Sequence, residues 1–257
     1  MSKVAIFIIN LPASTDRRDF MQSQLASIST EFTFIEAVDG SKFDNAELST
    51  VKKEVSYAIT KGEVGCALSH LKAYETLVKS DYDMALILED DVIIPSDIDM
   101  HLSRLHENNN SKRATITLLS EVYKYYEKNS FSTDENHHVH KVVDATFAHG
   151  YVINKLAAER LLKKLYPVWC VADQWTTFKE FGFVDIYAVI PSLINTHDVF
   201  EKKTTIENRK LDNVQEEKKR MWNEIKKSRP LKVKIRRSLW LAFVRHFVSI
   251  KKNSIPK

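Results

Sequence analysis

The stretch Met84-Ala85-Leu86-Ile87-Leu88-Glu89-Asp90-Asp91 passes from five apolar residues directly into three acids. An apolar run without polar alternation is typical of a strand that is covered on both faces, as in the parallel sheet of an α/β protein. Ligands of such sheets bind at the carboxyl ends of the strands. The stretch therefore predicts a central strand with an acidic ligand site at its end.

Short apolar runs alternate with helical patterns along the rest of the chain. Strand-like runs cover residues 4–10, 32–38, 114–119, 147–153 and 185–190, and helical spacing covers residues 62–78, 155–166 and 171–181. A further helix is predicted from about Ser14, which is a favourable N-cap residue. This alternation predicts an α/β fold, with a mostly parallel sheet and helices on both faces.

Charge is distributed unevenly along the chain. Residues 202–257 carry 18 lysines and arginines against 5 acids, a net charge of +13, so the total of +4 leaves −9 for residues 1–201. We therefore expect a catalytic domain over residues 1–200 and a basic helical tail over residues 201–257. The two cysteines, Cys66 and Cys170, lack metal-ligand spacing and favour a reducing compartment.

The acidic triplet Glu89-Asp90-Asp91 is the strongest candidate for a chemical role. Adjacent like charges raise one another's pKa and are unfavourable unless a cation or solvent offsets them. Carboxylate oxygens are ligands for Mg²⁺ or Mn²⁺, which often bind one or two carboxylates together with substrate phosphates. We expect Asp91 to bind the metal and Glu89 or Asp90 to contact a ribose or complete the shell, with a solvated acidic turn as the alternative.

Four motifs in register resemble glycosyltransferase family 25, which includes bacterial lipooligosaccharide glycosyltransferases and collagen galactosyltransferases. They are Ile8-Ile9-Asn10-Leu11 with Ser14, Asp16-Arg17-Arg18 and Met21; Ala37-Val38-Asp39-Gly40; Gly62 to His70; and Leu86 to Val92. The resemblance implies a GT-A-type, Rossmann-like fold, a UDP-sugar donor, an acidic metal motif and inversion at the anomeric carbon.

The resemblance also implies roles for individual residues. It assigns the donor site to Asn10, Leu11, Arg17, Arg18, Asp39, Gly40, Glu63, Ser69, His70, Glu89 and Asp90, with Asp91, Glu89 and His197 as metal ligands. An inverting transfer also needs a base to take the proton of the acceptor hydroxyl. Asp173, at the start of a predicted helix, is the candidate base, and Trp169 and Trp175 beside it could face an acceptor sugar or lie in the core.

Other histidines and the tail offer weaker signals. His137, His138 and His140 follow a polar stretch, so we interpret this region as a mobile loop rather than a metal site. In the tail, Trp240, Phe243, Val244 and Phe247 have the spacing of an apolar helix stripe with basic neighbours. Such a stripe is suited to an anionic membrane surface, and docking on the domain or on a dimer partner is the alternative.

Together these features predict an enzyme that transfers a hexose, galactose from UDP-galactose, to a lipooligosaccharide acceptor with Mn²⁺ or Mg²⁺. The open alternatives are UDP-glucose as donor, a collagen-type acceptor, and a sugar-nucleotide-binding or assembly protein without catalysis. We expect a cytoplasmic protein, peripheral at the inner face of the cytoplasmic membrane, without a cleaved leader. We expect no nucleic-acid partner, and the sequence does not decide whether the protein forms a homodimer.

Overall fold

The structure is a computed structural model that describes residues 3–197 and 211–253. Its strands are β1 (Val4–Asn10), β2 (Phe32–Glu36), β3 (Met84–Glu89), β4 (Val92–Ile93), β5 (Thr115–Leu118), β6 (Lys124–Ser132), β7 (His138–Asp144), β8 (Gly150–Asn154), β9 (Asp185–Ile190), β10 (Asn195–Thr196) and β11 (Ile250–Lys252). Its helices are α1 (Thr15–Leu25), α2 (Asn45–Val51), α3 (Lys61–Lys79), α4 (Ile98–Glu107), α5 (Lys155–Leu165), α6 (Trp175–Phe181), α7 (Asp212–Lys227) and α8 (Leu231–Ala242).

A large sheet organises the described part of the chain, with nine strands in the order β11-β6-β7-β9-β5-β8-β3-β1-β2. Six of these strands run in one direction, and β7, β8 and β11 run against them. The predicted α/β, Rossmann-like architecture with a mostly parallel sheet is confirmed. A separate two-stranded ribbon joins β4 to β10 in antiparallel pairing.

Both faces of the central strands are buried, which explains their unbroken apolar sequences. In β1, Val4, Ile6 and Ile8 pack in a cluster with residues of α1 and α4, whereas Ala5 and Phe7 pack on the other face with residues of α3 and α5. Because successive side chains of a strand point to opposite faces, a strand between two helical layers needs apolar residues at every position. This arrangement brings the polar ends of β1 and β3 to the same sheet edge.

Two sequence interpretations are corrected by the structure. The polar region around His137, His138 and His140 is not a mobile loop, because β7 pairs with β6 and β9 and begins at His138. The helix predicted over residues 171–181 begins only at Trp175, with Gln174 as its N-cap residue. Asp173 thus precedes the helix instead of opening it.

The tail residues that the structure describes pack against the rest of the chain. Ile225 of α7 is buried in the larger core cluster, and Trp222 packs against Tyr57 with ring centroids 5.3 Å apart. The β11 strand extends the sheet by antiparallel pairing with β6. The division at residue 200 stays a prediction.

The apolar stripe of the tail has a different local structure from the one predicted. The α8 helix ends at Ala242, and a 3₁₀ turn over Val244–Phe247 follows it, so the stripe does not lie on one continuous helix. No helix within residues 3–197 and 211–253 is long and apolar enough to cross a bilayer. Residues 201–210 and 254–257 of the predicted tail lie outside the described residues.

Candidate active site

The acidic triplet lies where β3 ends, and its middle residue is held by the neighbouring strand and helix. Asp90 is buried, and its Oδ2 accepts a hydrogen bond of 2.8 Å from Nδ2 of Asn10, the last residue of β1. Its Oδ1 accepts one of 2.8 Å from Nη1 of Arg17 in α1. Both oxygens of Asp90 therefore bind groups of the protein, and they fix the ends of β1 and β3 to the start of α1.

Asp91 keeps one carboxylate oxygen without a protein partner. Its Oδ2 lies 3.2 Å from Nη1 of Arg17, but its Oδ1 is buried and has no hydrogen-bond partner in the part of the chain that the structure describes. Burial, followed by the charge of Glu89, raises the pKa of Asp91, and Arg17 opposes this effect. Asp91 therefore pairs with Arg17 through one oxygen and has a second, buried oxygen that no described group satisfies.

Glu89 faces two histidines across the same site. Its Oε1 lies 3.7 Å from Nε2 of His70 in α3, and its Oε2 lies 3.9 Å from Nε2 of His149. Burial acts to raise the pKa of Glu89, but His70, His149 and Arg17 outweigh it, and the pKa is lowered. Glu89 therefore carries its charge at neutral pH, although neither histidine reaches hydrogen-bond distance.

A buried hydrogen-bond network fixes His70. Its Nδ1 lies 2.7 Å from the hydroxyl of Tyr151 in β8, and that hydroxyl lies 2.9 Å from the hydroxyl of Tyr74. Burial raises the pKa of both tyrosines, so their hydroxyls remain protonated. The network leaves Nε2 of His70 buried without a hydrogen-bond partner among the described residues, and this nitrogen faces Glu89.

The triplet and its surroundings fit a divalent cation. The three acids and Arg17 together carry a formal net charge of −2, which a Mg²⁺ or Mn²⁺ ion would neutralise. The unpartnered Oδ1 of Asp91 is the ligand atom that such an ion requires. Cys66, His70 and Glu89 also bring possible ligand atoms to within 4.8 Å of one another.

The predicted late ligand, His197, is brought beside the triplet by backbone pairing. The β10 strand pairs with β4, and the backbone N–H of His197 donates a hydrogen bond of 2.8 Å to the carbonyl oxygen of Asp91. The imidazole packs edge-on against Phe20 with ring centroids 4.9 Å apart. Sequence positions more than a hundred residues apart thus meet at one corner of the site, and metal ligation by His197 stays a prediction.

Two other predicted donor residues, Leu11 and Arg18, contact the start of α1 and strand β2. The carbonyl oxygen of Leu11 accepts a hydrogen bond of 2.8 Å from the N–H of Ser14, which closes the turn before α1. Arg18 is exposed, and its guanidinium carbon lies 4.1 Å from the ring centroid of Phe34. Arg17 points to the acids and Arg18 to β2, so the two arginines occupy different surroundings.

The loop after β2 packs on α3 through Gly40 and Ser69, and Asp39 stabilises the loop itself. The carboxylate of Asp39 accepts hydrogen bonds from the N–H and hydroxyl of Ser41, and the hydroxyl of Ser69 accepts one of 2.8 Å from the N–H of Val38. A Cβ at Gly40 would lie 1.9 Å from the carbonyl oxygen of Lys61, so only glycine fits this close approach. These contacts explain the motif by packing, and the predicted donor contacts stay predictions.

Glu63 is also engaged within the protein. It forms a capping box with Thr60 at the start of α3, and its Oε2 accepts backbone hydrogen bonds from Ile59 and Thr60. Its Oε1 is paired with the ammonium group of Lys218 in α7. The side chain of Glu63 is only 1% exposed, and its contacts link α3 to α7 of the tail.

Asp173, the predicted base, is half-buried in the segment that leads into α6. Its carbonyl oxygen accepts a hydrogen bond of 2.8 Å from the N–H of Trp175. Trp175 is fully buried and packs on Tyr151 with ring centroids 4.8 Å apart, and Trp169 is buried as well. The two tryptophans therefore belong to the core, and a role for Asp173 as base stays a prediction.

Sequence reasoning missed His149 and Tyr151 as site residues. Tyr151 lies in β8, which pairs with β3 in antiparallel direction, and His149 directly precedes that strand. The N–H of Glu89 donates a hydrogen bond of 3.0 Å to the carbonyl oxygen of His149. The strand itself was predicted, but its insertion beside β3 leaves no signal in the local sequence. The hint available in the sequence was the presence of polar His149 and Tyr151 within the otherwise apolar run of residues 147–153.

The model of "Glycosyltransferase family 25 (LPS biosynthesis protein)" matches residues 3–176. Human "Procollagen galactosyltransferase 2" is 27% identical over 80% of this chain and 33% of its own length. "Putative glycosyltransferase R655" of Acanthamoeba polyphaga mimivirus is 26% identical over 77% of this chain and 64% of its own. Human "Inactive glycosyltransferase 25 family member 3" is 28% identical over 44% of this chain and 21% of its own.

The chain spans about one third of the length of the human galactosyltransferase that it matches. The family match, by contrast, covers about two thirds of this chain and includes every strand and helix that positions the acidic triplet, apart from the β9–β10 region. On that match, the chain belongs to glycosyltransferase family 25.

Proposed function

We propose that this protein is an inverting glycosyltransferase that transfers a hexose, galactose from UDP-galactose, to an acceptor sugar of a lipooligosaccharide. The observation that carries the proposal is the buried Oδ1 of Asp91, which has no hydrogen-bond partner among the described residues and lies beside the charge of Glu89. A nucleotide-sugar site with a divalent cation satisfies this oxygen, whereas a solvated acidic turn would expose it to water.

On the donor side, Asp91 and Glu89 would hold Mn²⁺ or Mg²⁺, with His197 as a further ligand. The bound ion supplies positive charge to the departing diphosphate. Arg17 keeps the acids in place through its contacts with Asp90 and Asp91. The walls of the donor pocket, and the residues that support them, include Asn10, Leu11, Arg18, Asp39, Gly40, Ser69 and His70.

On the acceptor side, Asp173 serves as the base. As the acceptor oxygen attacks the anomeric carbon, its proton passes to the Asp173 carboxylate while the bond to the diphosphate breaks. The support for this role is chemical and positional: Asp173 is a half-buried carboxylate in the segment next to Trp175, which packs on the Tyr151–His70 network. Galactose is favoured over glucose because relatives of this chain are called galactosyltransferases.

Hydrolysis of the donor tests the proposed reaction. We expect the protein with Mn²⁺ to release UDP from UDP-galactose faster than from UDP-glucose or UDP-N-acetylglucosamine, and removal of metal by chelation to stop the release. With a lipooligosaccharide acceptor, proton NMR of the product is expected to show a β-linked galactose, because inversion of the α-linked donor gives that anomer. Preference for UDP-glucose would redirect the donor assignment, and retention would contradict inversion.

A non-catalytic role is the competing function, since family member 3 is named inactive in three mammals and is 28–30% identical to parts of this chain. Binding of a UDP-sugar without release of UDP under any metal condition would favour that role.

We also propose that the tail contacts an anionic membrane surface at the cytoplasmic face of the membrane. Leu231, Ile235 and Leu239 repeat every four residues along α8, Phe243 follows at its C-cap, and all four are at least half exposed. Phe247 is 86% exposed in the following turn. Exposed arginines such as Arg237 and Arg245 alternate with these side chains, and this combination favours insertion at a lipid interface with acidic headgroups.

Replacing Leu239, Phe243 and Phe247 together by serine tests this contact. We expect sedimentation with vesicles of phosphatidylglycerol and phosphatidylcholine to fall by at least about tenfold, because each large apolar side chain contributes roughly 1.5–3 kcal/mol on full burial. Phe32→Ser, an exposed phenylalanine of β2, is the matched control. Undiminished sedimentation of the triple variant, or of a chain lacking residues 231–257, would reject the proposed contact.

A further inference from the structure

A second cluster of possible metal ligands lies away from the acidic triplet, between the start of α4 and the turn that joins β6 to β7. His101, Asp134 and His137 bring ligand atoms to within 4.8 Å of one another. Asp97 lies beside this cluster, with its Oδ2 3.7 Å from Nε2 of His101 and its side chain 56% exposed. The cluster shares no residue with the proposed donor site.

His101 is fully buried, and one of its nitrogens has no hydrogen-bond partner within residues 3–197 and 211–253. Its Nδ1 lies 2.8 Å from Oγ1 of Thr133, whose hydroxyl donates to the carbonyl oxygen of His137 at 3.4 Å. Thr133 can then accept from Nδ1–H of His101, which leaves a lone pair on Nε2. Burial lowers the pKa of His101 and favours this neutral form.

The unpartnered Nε2 of His101 faces two carboxylates rather than a hydrogen-bond donor. Oδ2 of Asp97 and Oδ2 of Asp134 each lie 3.7 Å from it, which is too long for a hydrogen bond. Two ligand atoms on one tetrahedral zinc ion lie roughly 3.3 Å apart when each bond is about 2.0–2.1 Å. The distance of 3.7 Å between Nε2 and each carboxylate oxygen is therefore close to the separation of two ligand atoms on one zinc ion.

Each carboxylate keeps one oxygen close to Nε2 of His101. Asp97 occupies the N-cap position of α4, yet its side chain makes no capping hydrogen bond. Asp134 uses Oδ1 to accept from the N–H groups of Asn136 and His137, which orients the turn and leaves Oδ2 directed to the cluster. Oδ2 of Asp134 is also within hydrogen-bond distance of His137, 2.8 Å from its Nδ1, which brings His137 to the same group of ligand atoms.

We propose that Asp97, His101, Asp134 and His137 form a zinc site that joins α4 to the β6–β7 hairpin. The two imidazoles and the carboxylate of Asp134 provide three clustered ligands, and Asp97 offers a fourth from beside His101. The nitrogen ligands favour zinc over manganese or magnesium. The side chains of Asp134 and His137 are 22% and 23% exposed, so the ion can enter from solvent. Binding would hold together two elements that lie far apart in sequence.

Zinc binding by the whole chain in an Asp91→Asn background tests the proposal, because that change removes the proposed donor metal site. After chelator treatment and dialysis, we expect titration calorimetry to show one zinc ion per chain and only weak binding of Mn²⁺. Zinc at about 100 times its dissociation constant is expected to raise Tm by roughly 5–10 °C.

The His137→Asn variant separates ligation from folding, because His137 is partly exposed and its loss leaves the core intact. We expect His137→Asn to weaken zinc binding at least about 100-fold and to abolish the rise in Tm. The matched control is His138→Asn, the adjacent histidine of the hairpin, whose Nδ1 lies 2.7 Å from Oγ of Ser132. No stoichiometric zinc, or equal binding by His137→Asn and His138→Asn, would overturn the proposal.

Discussion

Replacing Asp91 by asparagine is expected to lower the rate of UDP release from the donor by about 10³-fold. Asparagine keeps the size of the side chain, but it lacks the charge that holds a divalent ion at Oδ1. Loss of metal assistance to a leaving diphosphate corresponds to several kcal/mol of activation free energy, and about 4 kcal/mol equals a factor of 10³. The rate is measured at saturating donor and Mn²⁺.

The folded state is expected to tolerate this change. Burial and Glu89 raise the pKa of Asp91, which means that its charged form is disfavoured in the folded protein, so the neutral amide should leave Tm unchanged or higher. Asp81→Asn provides the control, because Asp81 is exposed just before the opposite end of β3. A D91N protein with near wild-type turnover would remove Asp91 from the proposed mechanism.

Replacing Lys218 by alanine is expected to lower the free energy of unfolding by about 3–5 kcal/mol. Lys218 and Glu63 form an ion pair whose side chains are 6% and 1% exposed. Without the lysine, the carboxylate of Glu63 stays buried and loses the ammonium group that pairs with its Oε1, while its backbone hydrogen bonds from Ile59 and Thr60 remain. Urea denaturation followed by circular dichroism measures the change.

Two further variants show whether the lost stability comes from breaking this buried ion pair. Lys219→Ala, at the exposed neighbouring position, is expected to change stability by less than about 0.5 kcal/mol. The double variant Glu63→Gln with Lys218→Met is expected to recover most of the loss, because a neutral pair avoids the buried charge. If Lys218→Ala is as stable as Lys219→Ala, the tail does not depend on this pair for its docking.

The sequence predicted the strands of the sheet centre best. The bounds of β1 and β9 agree with residues 4–10 and 185–190, and β3 differs from residues 84–88 by one residue. Strands buried on both faces leave a continuous apolar signal because every position packs in a core. The acidic triplet was found because charge directly after such a strand is conspicuous.

Other elements were missed because their reasons lie far away in sequence. The β6 strand is largely exposed, with the burial pattern of an edge region, so it has no apolar run to reveal it. The pairing of β8 beside β3 joins Leu88 to Gly150, and no local pattern reports an antiparallel insertion. Glu63 and Lys218 are 155 positions apart, and their contact depends on how the tail folds back.

The measurement that tests the central claim most directly is the position of the metal in crystals grown with UDP and Mn²⁺. Anomalous diffraction at the manganese edge is expected to show one strong peak within about 2.0–2.4 Å of Oδ1 of Asp91, next to the UDP diphosphate. The same peak is expected to vanish in D91N. Manganese bound elsewhere, or UDP bound at full occupancy with no manganese beside Asp91, would contradict a metal-assisted donor site at the acidic triplet.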